Sequence, residues 1–271
     1  MEIVSMSGKN SIKVACIQMS ISDCNKLCNI EKALAMAKDA ASTGSELLVF
    51  PEVFSTGFCY DNIEISGETE NGDTIRDMCA FSKEHGCAMV FSIIEKQMSS
   101  TGLEYYNLGV CVEDGYVVGT YRKTHPFKRE KQYFSAGDSI IPIRLPIRKL
   151  TIGLQICYEI RFPEVSRKLA LMGSDILITI AEFPSPRGHI WRSLAIARAI
   201  ENQIPHIACN RVGEGSDSSF FGGSIIVDQL GDVMEEAGDH ETVVIGTIDL
   251  ERTNRIRDEI PVFDDRRTIL Y

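Results

Sequence analysis

Apolar residues fall into short runs, each followed by a stretch with helical spacing, and that alternation organises the chain. Residues 12–19 (IKVACIQM) read as a buried strand. Residues 29–42 follow with Ile30, Ala33, Leu34, Ala37 and Ala41 on one helical face, ended by Gly44. A second apolar run, ELLVFPE, stops at Pro51. The spacing then predicts a helix over 73–85, a strand over 87–94 and a hairpin over 106–121 turning at Asp114-Gly115. Next come a strand over 150–156 that turns into a helix near Pro163, a strand over 175–181, a helix over 188–202 and a short strand from His206 to Cys209. The tail reads as a hairpin of 223–228 with 242–249, turning near Gly231 or across the acidic loop 235–241. Alternating strands and helices imply sheets with helices packed on them, and unbroken apolar strands imply sheets covered on both faces. With hairpins at the middle and end, a layered α/β sandwich fits better than a barrel.

Composition narrows the class. A chain of 271 residues can bury most of its apolar surface, and no Pro/Gly/Ser-rich linker divides it, so residues 1–271 are expected to form one domain. A formal net charge of −10 argues against a nucleic-acid partner, and the cluster Arg122, Lys123, Lys128, Arg129, Lys131 is too short to reverse that. No apolar run approaches the roughly 20 residues that span a bilayer, and MEIVSMSGKN lacks the apolar stretch of a signal peptide. Nine cysteines, an odd number with no paired spacing, point to a reduced, cytosolic protein. Small-molecule chemistry is the class that remains.

One cysteine stands apart. Cys16, Cys111 and Cys209 lie inside apolar strands and read as core, whereas Cys157 sits where the strand 150–156 gives way to a helix, in GLQICYEIRFPEVSRKLALMG. The unpaired N–H groups of a helix N-terminus favour a thiolate and can hold an oxyanion. A nucleophile in that position needs a base and a cation. Glu52 directly follows the ELLVFPE strand, and Lys123 closes the second strand of the hairpin in TYRKTHPF. Three residues of complementary chemistry at strand ends match the placement of sites in open α/β sheets.

PEVFSTGF with Glu52, YRKTHPF with Lys123 and GLQICYEIRFPE with Cys157, in that order, resemble the Glu-Lys-Cys signatures of the nitrilase, or carbon–nitrogen hydrolase, superfamily. The resemblance runs from the first strand to the terminal DDRRTILY. Within the superfamily, PEVFSTGF, FPSPRGHIWRSLAIARAIENQ and ACNRVGEG are most similar to the ω-amidase group, which hydrolyses the terminal amide of small dicarboxylate monoamides. The resemblance implies a four-layer αββα sandwich, assembly as a homodimer or higher homo-oligomer, and a second glutamate ahead of a YFSAGD-like segment, which falls on Glu130. It further implies that Glu52 takes the proton of Cys157, that Lys123 and the backbone N–H of Tyr158 hold the oxyanion, and that a thioester forms and is hydrolysed. Glu130 would orient substrate or hold the Glu52–Lys123 geometry.

Neither cofactor nor metal is expected: lysine supplies the charge, and the five histidines are scattered without His-x-x-x-His spacing. Phe58, Tyr60, Phe183, Pro184 and Arg187 are candidates for specificity, with Arg187 able to pair with a substrate carboxylate. His125 reads as a packed loop residue. One departure stands out: the group commonly carries Asn-Trp-Pro where this chain has Glu182-Phe183-Pro184. A carboxylate there would repel an acidic substrate, favour an amine-bearing one, or point away. Rival readings are an N-carbamoyl amine hydrolase or nitrilase on the same triad, a nucleotide-binding module, and a catalytically silent interaction protein. The nucleotide module lacks any G-x-G-x-x-G or Walker spacing after a strand.

Overall fold

The computed structural model describes residues 11–100 and 102–270. The first half runs β1 (Ser11–Gln18), α1 (Lys26–Ser42), β2 (Leu47–Val49), α2 (Ile63–Ser66), α3 (Asp73–His85), β3 (Ala88–Ser99), β4 (Gly102–Glu113) and β5 (Tyr116–Arg122). Then follow β6 (Ile143–Leu145), β7 (Leu150–Ile156), α4 (Pro163–Leu171), β8 (Ile176–Ala181), α5 (Gly188–Asn202) and β9 (His206–Asn210). The chain closes with β10 (Val212–Glu214), β11 (Ser219–Phe221), β12 (Ile225–Val227), β13 (Val233–Glu236), β14 (Thr242–Asp249) and α6 (Arg252–Glu259).

These strands build two six-stranded sheets, ordered β14-β1-β2-β3-β4-β5 and β13-β12-β9-β8-β7-β6, with β10 and β11 as a separate small hairpin. Strand periodicity explains why the sheets stack. Along β1, Val14 and Cys16 join a core shared with Leu154, Ile156 and Ile178 of the other sheet. Their neighbours Ala15 and Ile17 join the opposite core, with Ala33 and Ala37 of α1 and Met78 of α3. On the far side of the second sheet, Leu177 packs with Val165 and Leu169 of α4. The layers are therefore helix, sheet, sheet, helix, the αββα sandwich implied by the resemblance.

The sheets approach closely where two glycines face the gap. A Cβ on Gly109 of β4 would lie 2.7 Å from Leu154 Cδ2 on β7, and one on Gly119 of β5 would lie 2.5 Å from Ile143 Cγ2 on β6. No side chain fits there unless Leu154 or Ile143 is displaced.

Several elements differ from the pattern-based reading. Helix α1 begins at Lys26, because the Asn25 side chain accepts from Cys28 N–H and caps Lys26, Leu27 and Cys28 into the helix. Strand β3 continues to Ser99, its polar end paired along β4. The tail does not form the expected hairpin. Strand β12 turns at Gly231 to pair with β13, inside what reads as an acidic loop, while β14 crosses to lie antiparallel to β1 at the edge of the other sheet. Polar VMEE hides a strand because one face of an edge strand meets solvent. The expectation of uniformly reduced cysteines also fails at one pair: Cys24 and Cys59 are joined by a disulfide. They are 35 residues apart in sequence, and only the fold brings the loop after β1 against the segment after β2.

The tight inter-sheet contact gives a stability prediction. Gly109→Val should lower the urea midpoint without changing the slope, with a loss on the order of 1–3 kcal/mol from overpacking. An unchanged midpoint would mean that the sheets are not held as closely as described.

Candidate active site

Strands β2 and β5 of one sheet and β7 and β8 of the other deliver Glu52, Lys123, Cys157 and Glu182 to one cluster. The turns that present them are strained. Cys157 has φ of 49°, and Val53, directly after Glu52, has φ of 39°. Left-handed backbone costs roughly 1–2 kcal/mol for an L-residue and is a genuine outlier for a β-branched one. Both turns are pinned: Val53 N–H donates to Ser92 Oγ at 2.8 Å, and Ile156 N–H donates to Glu159 Oε2 at 2.7 Å.

Lys123 sits at the centre. Its ammonium is 2.7 Å from Glu52 Oε1 and 2.9 and 2.8 Å from the two oxygens of Glu130, with all three side chains buried. Burial alone would lower the Lys123 pKa; Glu130 and Glu52 reverse that and hold it well above the ordinary lysine value. Burial pushes Glu130 up to about 7, against the pull of Lys123. Glu52 is fixed by two further donors, Asn107 Nδ2 to Oε1 at 2.7 Å and the Glu182 peptide N–H to Oε2 at 2.9 Å.

Cys157 does not gain a thiolate from a helix terminus. Helix α4 begins at Pro163, and Cys157 instead opens a 3-10 turn over Cys157–Arg161. Burial first, then the charges of Glu52 and Glu130, push its thiol well above the ordinary range, with Lys123 pulling the other way. The resting sulfur keeps its proton, so attack requires a base.

Two residues absent from the sequence-derived set complete the frame, Asn107 and Glu159. The buried Glu159 carboxylate accepts from Tyr121 Oη at 2.7 Å, Thr124 N at 2.7 Å and Thr124 Oγ1 at 2.6 Å, tying the Cys157 turn to the strand that carries Lys123. Burial would raise its pKa, yet hydrogen bonds from His125, Thr124, Tyr121 and the Ile156 peptide hold it below the ordinary carboxylate range. His125 is packed, stacked on Phe162 at 4.2 Å between centroids.

A cavity of about 510 Å³ opens onto Cys157 and Glu130. Phe58, Tyr158, Phe183 and Arg187 all line it, as do Tyr60 and Pro184. Phe58 stacks on Tyr60 at 5.6 Å and lies under the Lys123 ammonium, 5.8 Å from its ring centroid. Tyr158 is wedged between Phe127 and Phe162, and Phe183 packs on Trp191. Glu182 also lines the cavity, paired with Arg211, so it does not point away. Among the described residues, no group of three or more His, Cys, Asp or Glu side chains is arranged to hold a metal ion.

Removing the central cation exposes its cost. Lys123→Met leaves two buried carboxyls unpaired and should destabilise the protein by about 3–5 kcal/mol at pH 8. The loss should shrink as the pH falls, because Glu130 takes up a proton and no longer needs a partner. Denaturant melts at pH 6 and pH 8 check both the size and the sign.

Comparison with known proteins assigns the chain to a family. The carbon-nitrogen hydrolase family profile matches residues 13–258. The chain is 36% identical to 2-oxoglutaramate amidase of Bacillus subtilis, over 95% of this chain and 98% of that protein. It is 29% identical to human omega-amidase NIT2, over 96% of this chain and 97% of that one. The crystal structure of a carbon-nitrogen hydrolase from Helicobacter pylori superposes with a TM-score of 0.90 at 27% identity, covering 98% of each chain. The chain therefore belongs to the carbon-nitrogen hydrolase family, enzymes that hydrolyse C–N bonds other than peptide bonds.

Proposed function

We propose that this enzyme is an ω-amidase, releasing ammonia from the terminal amide of a small dicarboxylate monoamide through a thioester on Cys157. The observation that carries the substrate class is the charge inventory of the cavity wall. Arg129 is paired with Asp61 and Asp217, and Arg211 with Glu182 and Asp23. Arg161 and Arg187 line the same cavity, and no carboxylate among the described residues pairs with either. Arg161 closes the 3-10 turn that Cys157 opens and lies over the Phe183 ring, 5.4 Å from its centroid. Two free guanidinium groups in the cavity that contains the nucleophile call for an anion on the substrate. The relatives named 2-oxoglutaramate amidase and omega-amidase are consistent with that class.

The chemistry follows from the cluster. Glu52 accepts the Cys157 proton as the sulfur attacks the amide carbon, so no free thiolate accumulates in the resting site. The oxyanion meets the Lys123 ammonium and the Tyr158 N–H, and Glu52 protonates the departing ammonia. Water, deprotonated by Glu52, then releases the acid from the thioester. Glu130 keeps the ammonium in place when the Glu52 carboxylate is neutralised mid-reaction. Self-association comes with the family resemblance, and a cytosolic location with the odd, unpaired set of cysteines; the Cys24–Cys59 bond pulls against the second, since cytosolic thiols are kept reduced.

Ammonia release across ω-monoamides, diamides, N-carbamoyl compounds and nitriles tests the substrate class. The C4 and C5 monoamides should have the highest kcat/KM. Arg161→Gln and Arg187→Gln should each lose on the order of tenfold or more on those anions, mostly in KM, and less on the neutral diamides. Equal losses on charged and neutral amides would overturn the reading.

A further inference from the structure

Arg211 is buried on the cavity wall between two acids. Its Nη1 is 3.0 Å from Glu182 Oε2 and 3.5 Å from Asp23 Oδ1, while Nη2 donates to the carbonyls of Ile21 at 2.6 Å and Glu214 at 3.1 Å. The guanidinium lies over the Phe220 ring, 4.2 Å from its centroid. One cation thus serves two carboxyls, and the two are not equivalent. Asp23 is 26% exposed and accepts the Ser216 N–H at 2.6 Å on Oδ2. Glu182 has an exposure of 3% and an Oε1 with no hydrogen-bond partner among the described residues. An ionised Glu182 would leave half of its charge unsolvated, whereas a protonated one accepts from Arg211 through Oε2 and balances the cluster to neutrality.

The surroundings favour the proton. Burial first pushes Glu182 up to about 8; Arg211 pulls it down, and Glu52 and Asp23 push it further up. Tyr60, which faces the same carboxyls, is itself raised by burial and by Glu130 and Glu52, so it stays neutral and supplies no charge. The packing is tight on this side: a Cβ on Gly57, whose φ is 61°, would lie 2.7 Å from Asp23 Oδ1 and 3.6 Å from Glu182 Oε1.

We propose that Glu182 is a specificity-determining residue that admits anionic amides while it holds its proton, and that its ionisation turns the Asp23–Arg211–Glu182 wall net negative and repels them. The proposal rests on the reading of the substrate as a carboxylate-bearing monoamide. It accounts for an acid at the position where the ω-amidase pattern has an amide: the acid is tolerated because it is neutral. Neutral amides of the same length feel no such change.

Calorimetry on the Cys157→Ala protein tests this without turnover. The ligands are the monoamide of a five-carbon diacid, ionised throughout pH 6.5–9.5, and the corresponding diamide. The ratio of their Kd values, anion over neutral, should rise about tenfold with a midpoint near pH 8 as a like charge appears within the low-dielectric cavity. It should stay flat when Glu182→Gln is added. Asp23→Asn should move the midpoint to lower pH, because it removes a negative charge that helps Glu182 keep its proton; should the Gln protein not fold, this shift decides the matter. A constant ratio in the parent, an equal rise with Gln, an unmoved midpoint with Asn, or no anion binding at any pH would each overturn the inference. Turnover by the wild-type enzyme separates it from the substrate reading. A monoamide that binds with this pH dependence yet releases no ammonia would sink the reading and leave Glu182's role intact.

Discussion

A single ammonium, that of Lys123, must be buried in the dry seam between two sheets, and much of the active-site frame is arranged around that requirement. An unpaired charge in such a place costs several kcal/mol, so Lys123 needs acids within hydrogen-bond reach, and Glu52 and Glu130 supply them at 2.7 to 2.9 Å. Those acids need donors in turn. Asn107 and the Glu182 peptide satisfy Glu52, which fixes how the middle of β4 and the end of β8 stand relative to β2. The ion cluster therefore sets the relative positions of strands from both sheets, and the same positions gather a carboxylate, a cation and a sulfur beside one cavity.

The arrangement also decides how the sulfur is used. Two acids and one cation around a buried thiol favour the protonated form, so in the proposed mechanism nucleophilicity arises as Glu52 takes the proton during attack. That timing suits an enzyme whose base must return the proton to ammonia. Positive φ at Cys157 and Val53 belongs to the same logic, since both turns aim a side chain across the seam at the expense of local backbone comfort. Glu159 joins the Cys157 turn to Tyr121 of β5 and to Thr124 just beyond Lys123.

Glu52, Lys123 and Cys157 were legible because each directly follows an apolar strand, and a strand end is readable from local pattern. The helices over 73–85 and 188–202 and the strand over 150–156 keep those bounds for the same reason. Pocket residues Phe58, Tyr158, Phe183 and Arg187 adjoin those strand ends or the helix that follows, and the cavity gathers all of them. What stayed hidden is non-local. Asn107 lies inside β4, and nothing in its neighbourhood announces that it faces a carboxylate 55 residues away. Glu159 likewise carries no local signal, and its role emerges only where the fold sets it against Thr124. The crossing of β14, the Cys24–Cys59 bond and the pairing of Glu182 with Arg211 depend likewise on partners distant in sequence. The thiolate expectation failed because proximity to a helix start says nothing of burial, and burial dominates at Cys157.

The most direct test of the account is intact-protein mass spectrometry of the Glu52→Gln variant mixed with a five-carbon ω-monoamide. With the sulfur acylated slowly and the water step lacking its base, the account predicts a mass increase equal to the acyl group, mapped to Cys157 and absent in Cys157→Ala. An unmodified Cys157 alongside sustained ammonia release, or an adduct on another residue, would contradict it.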